Sequence, residues 1–127
     1  MMMNKKSWIK TDQPKRIPVP GDKIIEEHIG RVATGDDDYS VAHMQAPPGW
    51  SEPPQTPEFD ELTIMIKGRM EVYLDGRREV LESGEVLLAP AGVNVQYANP
   101  FGESNEYWAV CRPAFSPERA RRKSVDD

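Results

Sequence analysis

Residues 61–99 read ELTIMIKGRMEVYLDGRREVLESGEVLLAPAGVNVQYAN, and this stretch decides the fold. Short runs of apolar and β-branched residues alternate with turn residues at close intervals, which is the pattern of antiparallel strands. The spacing predicts strands over Leu62–Ile66 and Arg69–Leu74, on either side of a Lys67-Gly68 turn. Asp75-Gly76 comes next, a dipeptide that a two-residue hairpin prefers because both central positions need positive φ. Arg78–Leu81 and Glu85–Ala89 continue the meander across Ser83-Gly84, and the Pro90-Ala91-Gly92 corner leads into Val93–Ala98.

Working outward, Asn99-Pro100-Phe101-Gly102 connects to a further expected strand over Glu106–Arg112. Ser116-Pro117-Glu118 offers a cap residue followed by proline at a first helical position, so a short C-terminal helix is expected there. On the other side, residues 46–60, APPGWSEPPQTPEFD, hold five prolines and must form a shaped loop. Before it, Tyr39–Gln45 reads as a strand with Tyr39, Val41, His43 and Gln45 on one face and Ser40, Ala42 and Met44 on the other. Lys23–Val32 is another, closed by Thr34, Gly35 and the acidic run Asp36, Asp37 and Asp38. Residues 1–20, with Pro14, Pro18 and Pro20, read as an N-terminal arm, and residues 21–127 as a single all-β domain. The strand count and meander suit a double-sheet jelly-roll barrel.

At 127 residues, with 38% hydrophobic content, the chain is long enough for one apolar core. No run approaches the length of a membrane span, and MMMNKKSWIK lacks the apolar region of a secretory signal. The single cysteine, Cys111, fits a reducing compartment, so a cytoplasmic protein is expected. A net charge of −5 argues against nucleic acid as a partner. Arg119, Arg121, Arg122 and Lys123, opposed by Asp126 and Asp127, read as a solvated helical end. There is no phosphate-binding glycine loop, no G-x-S-x-G and no cysteine pair, and Cys111 within an apolar strand reads as a packed thiol.

Glu61 with Gly68, and Gly84 with Pro90, Gly92 and Asn99, resemble the two motifs of the cupin family over roughly residues 40–113. The resemblance implies a cupin double-stranded β-helix, in which many members hold a divalent metal through three histidines and the glutamate. The first two histidine places fall here among Pro54, Gln55, Thr56 and Pro57, and the third is Val95. EFDELTIMIKGRMEV looks most like the small ethanolamine-utilisation cupins, which also lack those histidines. Likeness to them implies a bacterial small-molecule protein without a bound metal, a homodimer paired through its sheets or its N-terminal arms.

If Glu61 points into the barrel, as the resemblance implies, Thr63 and Met65 point in with it, and Val95, Tyr97 and Asn99 share the facing side. A pocket of Glu61, Tyr97, Gln55 and either Glu58 or His43, walled by Met65 and Val95, suits a small polar ligand. A glutamate in such surroundings holds its proton to higher pH and becomes a general base, with Tyr97 as hydrogen-bond donor. The pair would serve a metal-independent lyase or isomerase, with Gln55 and Asn99 orienting the substrate and Trp50 in a lid over the mouth. Several alternatives stand beside it. Glu61 would tie down its own loop and Tyr97 fill volume; or the protein would be a non-catalytic accessory cupin of amine catabolism. A divalent metal would sit on His28, His43 and Glu61, or a hard cation on Glu52, Glu58, Glu61 and Gln55.

Overall fold

The computed structural model describes residues 7–122. Two antiparallel sheets face each other as a jelly roll. Chain order gives β1 (Lys15–Arg16), β2 (Ile24–Ile29), β3 (Ser40–Ala46), β4 (Asp60–Lys67), β5 (Arg69–Leu74), β6 (Arg77–Glu82), β7 (Val86–Ala89), β8 (Val95–Ala98) and β9 (Asn105–Arg112), then α1 (Pro117–Ala120). The larger sheet runs β1-β2-β3-β9-β4-β7 and the smaller β6-β5-β8. The all-β jelly roll with a short C-terminal helix is the architecture expected, and β2 to β9 each lie within a few residues of their expected bounds.

Local chemistry explains the turns. Asp75 (φ 50°) and Gly76 (φ 84°) both take positive φ between β5 and β6, as the tight hairpin demands. Gly68 (φ 77°) has a second constraint, since a Cβ there would come within 2.9 Å of the Ser104 carbonyl oxygen. Ser116 caps α1 by accepting from the Arg119 amide at 3.1 Å, with Pro117 just behind it.

Alternation sorts the strands into an inner and an outer face. Thr63 and Met65 on β4, Val95 and Tyr97 on β8, and Tyr107, Ala109 and Cys111 on β9 are all buried. One end of the barrel is packed by Met65, Met70, Val72, Leu81 and Val95, a cluster that continues into Tyr97, Tyr107 and Ala109. A smaller group, Phe59, Cys111, Ala120 and Phe115, closes the other end under α1. Between them an open cavity remains. Burying each large apolar side chain contributes about 1.5–3 kcal/mol, so the packed end carries much of the stability.

Two expectations change here. The N-terminal segment is not a free arm within the described residues: β1 pairs with β2 in the register Lys15↔Glu27 and Arg16↔Glu26. Ile17, Val19 and Pro20 then pass over the cavity and line it. Residues 1–6 lie outside the described part. The arginine-rich end is likewise not simply solvated. The Arg119 guanidinium donates to both Asp37 carboxylate oxygens at 3.0 Å and to the Ala114 carbonyl at 2.9 Å. Arg121 and Arg122 run beside the proline-rich loop, where Thr56 N donates to Arg121 O at 3.4 Å. Lys123, Asp126 and Asp127 lie outside the described residues.

Candidate functional site

The proline-rich loop builds one wall of the cavity. Pro53 and Pro54 lack the amide hydrogens that a regular strand needs. The segment therefore follows β8 through separate contacts, with Glu52 N donating to Tyr97 O at 3.2 Å and Gln55 and Val95 exchanging bonds of 2.9 and 2.8 Å. Trp50, Glu52 and Gln55 reach the cavity from this wall. β4 contributes Glu61 and Thr63, β8 Tyr97, and β9 Tyr107, Ala109 and Cys111. Lys23, just ahead of β2, and Arg122, just after α1, enter from opposite ends of the sequence. The cavity volume is about 420 Å³, the size of a small-metabolite site.

Glu61 lies at the centre of the polar cluster. Tyr97 donates its hydroxyl hydrogen to Glu61 Oε1 at 3.1 Å. Burial raises the Glu61 carboxyl from 4.5 to about 7, and repulsion from Glu52 adds to the shift. The Tyr97 hydrogen bond, the Lys23 charge and a Cys111 contact oppose it without cancelling it. Burial also raises Glu52, against the pull of Lys23 and Arg122. Tyr97 is held well above 10.0, chiefly by burial and then by the Glu61 charge, so its phenol stays a neutral donor.

Lys23 is the least ordinary member. It is 8% exposed, and its amine sits 3.6 Å from the centroid of the Trp50 ring and 5.4 Å from that of Tyr107. Burial lowers the ammonium from 10.5 to about 8, although Glu52 and Glu61 pull it the other way. Arg122 donates to Gln55 Oε1 through Nε at 3.3 Å and Nη2 at 3.0 Å, and reaches Glu52 at 3.9 Å. The cavity is thus lined by Glu52, Glu61, Lys23 and Arg122 over an apolar floor that includes Ala42, Met44 and Ala109, with Glu27 at its edge, where its carboxylate accepts from the Val32 and Ala33 amides at 2.9 Å.

Of the residues expected at the site, Glu61, Tyr97, Gln55 and Trp50 are brought together, and the others are not. His43 lies on the outer face of the large sheet, bonded to Glu106 at 2.7 Å and set against Trp108 at 4.9 Å. The cause is strand parity, since Ser40, Ala42 and Met44 of the same strand take the inner face. Glu58 is exposed and pairs with Arg121 at 3.4 Å. Met65 and Val95 belong to the solid end and not to the cavity wall. Asn99 is fully buried, donating to Ala46 O at 3.1 Å and Glu103 O at 2.9 Å and accepting from Phe101 N at 3.1 Å. Both of its amide hydrogens are committed to folding the loop, so it does not orient a substrate.

The donor set does not fit a histidine-rich metal site. Val95 is apolar, and Gln55 is occupied by Arg122. His28 and His43 both pack against Trp108 on the outer face, while Glu61 faces inward. Among the described residues no group of three or more His, Cys, Asp or Glu is placed to hold a metal ion. Lys23, Arg122, Tyr107 and Cys111 are among the cavity residues that the sequence did not place there, and from the sequence Glu52 is expected only as a cation ligand beside Glu61.

Comparison with known proteins sets this cavity in a family. Over 116 residues, 91% of this chain, the sequence is 46% identical to endoribonuclease YbeY of Myxococcus xanthus, but it spans only 40% of that protein's length. Over 45 residues, 35% of the chain, it is 33% identical to acetate kinase EutQ of Clostridioides difficile, of which it spans 29%. Streptomyces PAC13, solved with uridine, superposes with a TM-score of 0.74 at 15% identity, covering 93% of this chain and 92% of that one. The cupin domain model matches residues 42–111, from the inner face of β3 to the Cys111 end of β9, and the chain belongs to the cupin family.

Proposed function

We propose that the cavity binds a small polar metabolite and moves a proton on a carbon beside its carbonyl group, as a lyase or isomerase that uses no metal. One observation carries the reading: the Glu61 carboxyl stands in a metabolite-sized cavity with its pKa raised to about 7. A base must be largely ionised at working pH yet basic enough to take a proton, and a carboxyl near neutrality meets both requirements. Tyr97 holds the carboxyl at 3.1 Å, fixing which oxygen faces the ligand. Lys23 and Arg122 place positive charge in the same cavity, where an oxyanion formed on proton removal would be stabilised. Trp50 and Tyr107 present flat apolar surface to the ligand's body.

The same cations weigh against an accessory role in which the acids capture a cationic amine, because Lys23 and Arg122 already stand beside those acids. RNA is disfavoured as a substrate. The net charge is −5, and the site is a recess rather than a basic groove.

The test is proton exchange. A panel of small hydroxy, keto and amino acids and sugars is incubated with the protein in heavy water and followed by proton NMR. The expected result is loss of one C–H signal from a ligand that also raises the melting temperature, at a rate that rises with pH through about 7 as Glu61 ionises. Glu61→Gln keeps the binding and abolishes the exchange. Binding with no exchange for any ligand would reduce the protein to a binding module.

A further inference from the structure

We infer that Lys23 is a covalent residue, whose amine condenses with an aldehyde or ketone ligand in the cavity to form an imine. This deepens the proton-transfer reading of Glu61 and rests on it. A buried structural lysine is normally held by a carboxylate, because an unpaired buried charge is costly. Among the described residues no carboxylate lies within salt-bridge distance of Lys23. Its amine rests instead on the Trp50 ring at 3.6 Å, facing open space of about 420 Å³. The groups that could hold or move its proton line the same cavity: Glu52 and Glu61 from the two facing walls, and Arg122 from the C-terminal segment; Glu27 of β2 lines it too, but its carboxylate is taken by the Val32 and Ala33 amides. Tyr97 and Tyr107 line it too and are kept neutral by burial. A lysine desolvated against apolar and aromatic surface beside another cation is the setting in which an amine becomes a nucleophile at neutral pH. With its pKa near 8, Lys23 carries roughly 300-fold more free amine at neutral pH than an ordinary lysine near 10.5.

The chemistry balances without an added oxidant or reductant. The Lys23 nitrogen lone pair attacks the carbonyl carbon, a C–N bond forms, and the C=O π electrons move to oxygen, which takes a proton from the Glu61 carboxyl. The nitrogen, which carries two protons and a positive charge after the attack, returns one proton to the Glu61 carboxylate; the carbinolamine hydroxyl takes that proton and leaves as water while the freed nitrogen lone pair closes a protonated C=N bond. Protonated, that imine draws electrons from the neighbouring carbon, and the Glu61 carboxylate removes the proton there. The positive charge that stabilises the product then lies on the ligand itself.

Reductive trapping tests this. The whole chain is incubated at neutral pH with pyruvate or with butanal and sodium cyanoborohydride, and the adducts are mapped by peptide mass spectrometry. The expected result is an adduct at Lys23 forming at least about tenfold faster than at any of the six other lysines. Its formation slows in Glu61→Gln, and the site is lost in Lys23→Arg. Adducts spread over the surface lysines according to exposure, or no adduct at Lys23 with either probe, would overturn the inference. The wild-type map stands even if the arginine variant does not fold. If nothing is trapped at Lys23 while C–H exchange persists, the imine falls and the proton-transfer reading survives; trapping without exchange has the opposite meaning.

Discussion

The two ends of the barrel are built on the same strands yet follow different rules. On β4, Met65 lies in the solid end with Met70, Val72, Leu81 and Val95, whereas Glu61, four residues earlier on the same face, stands in the cavity with Lys23 and Glu52. The solid end satisfies its few polar groups through Asn99 and Asn105, which bond the backbone around them. At the cavity end the acids keep charges that burial disfavours, two carboxyls being raised and one ammonium lowered. One end stabilises the fold, and the other stores instability in a form that suits chemistry.

Substitutions should therefore act in opposite directions at the two ends. The largest effect is expected at the solid end. Met70→Ala leaves a void where the native side chain is fully buried and should destabilise by about 2–5 kcal/mol in urea unfolding. Glu61→Gln should instead stabilise, and only above the ordinary carboxyl range. Folded Glu61 keeps its proton up to about 7 while the unfolded chain releases it near 4.5, so the wild type loses stability as pH rises between those values. The variant removes that loss, on the order of 3 kcal/mol at pH 8 and close to nothing at pH 4. Equal effects of the substitution at both pH values would remove the contrast between the ends.

Smaller changes sharpen the comparison. Ser116→Ala removes the cap of α1 under the cavity and should lower stability by about 1 kcal/mol without altering the pH dependence. His43→Gln should leave ligand affinity unchanged, because its ring sits outside the barrel on Trp108. A loss of affinity there, measured by calorimetry on whichever ligand the exchange screen identifies, would move the site to the outer face.

How far the sequence shows this division follows from the range of the signals. Turn chemistry and two-residue alternation are local, so Asp75-Gly76 and the β4–β5 turn can be read directly, as can the shared face of Glu61, Thr63 and Met65; that this face and that of Tyr97 point inward is what the cupin resemblance implies. The motif residues Gly68 and Asn99 are legible for a structural reason: one allows close approach to Ser104, and the other ties three backbone groups together. His43 was ambiguous because parity in a short strand depends on its neighbours, and β9 sets that register through His43↔Trp108. Glu52 and Glu58 lie in a proline-rich loop with no period, so nothing local tells the inward acid from the outward one. Lys23 and Arg122 meet only through the closed fold, and no pattern over a few residues links positions so far apart.

The central claim concerns the proton on Glu61. Carbon-13 NMR of the side-chain carboxyls, with the Glu61 signal assigned by its disappearance in Glu61→Gln, measures it directly. The account predicts a midpoint near 7, well above the ordinary 4.5, and a midpoint at or below 4.5 would contradict it, leaving Glu61 as a structural acceptor.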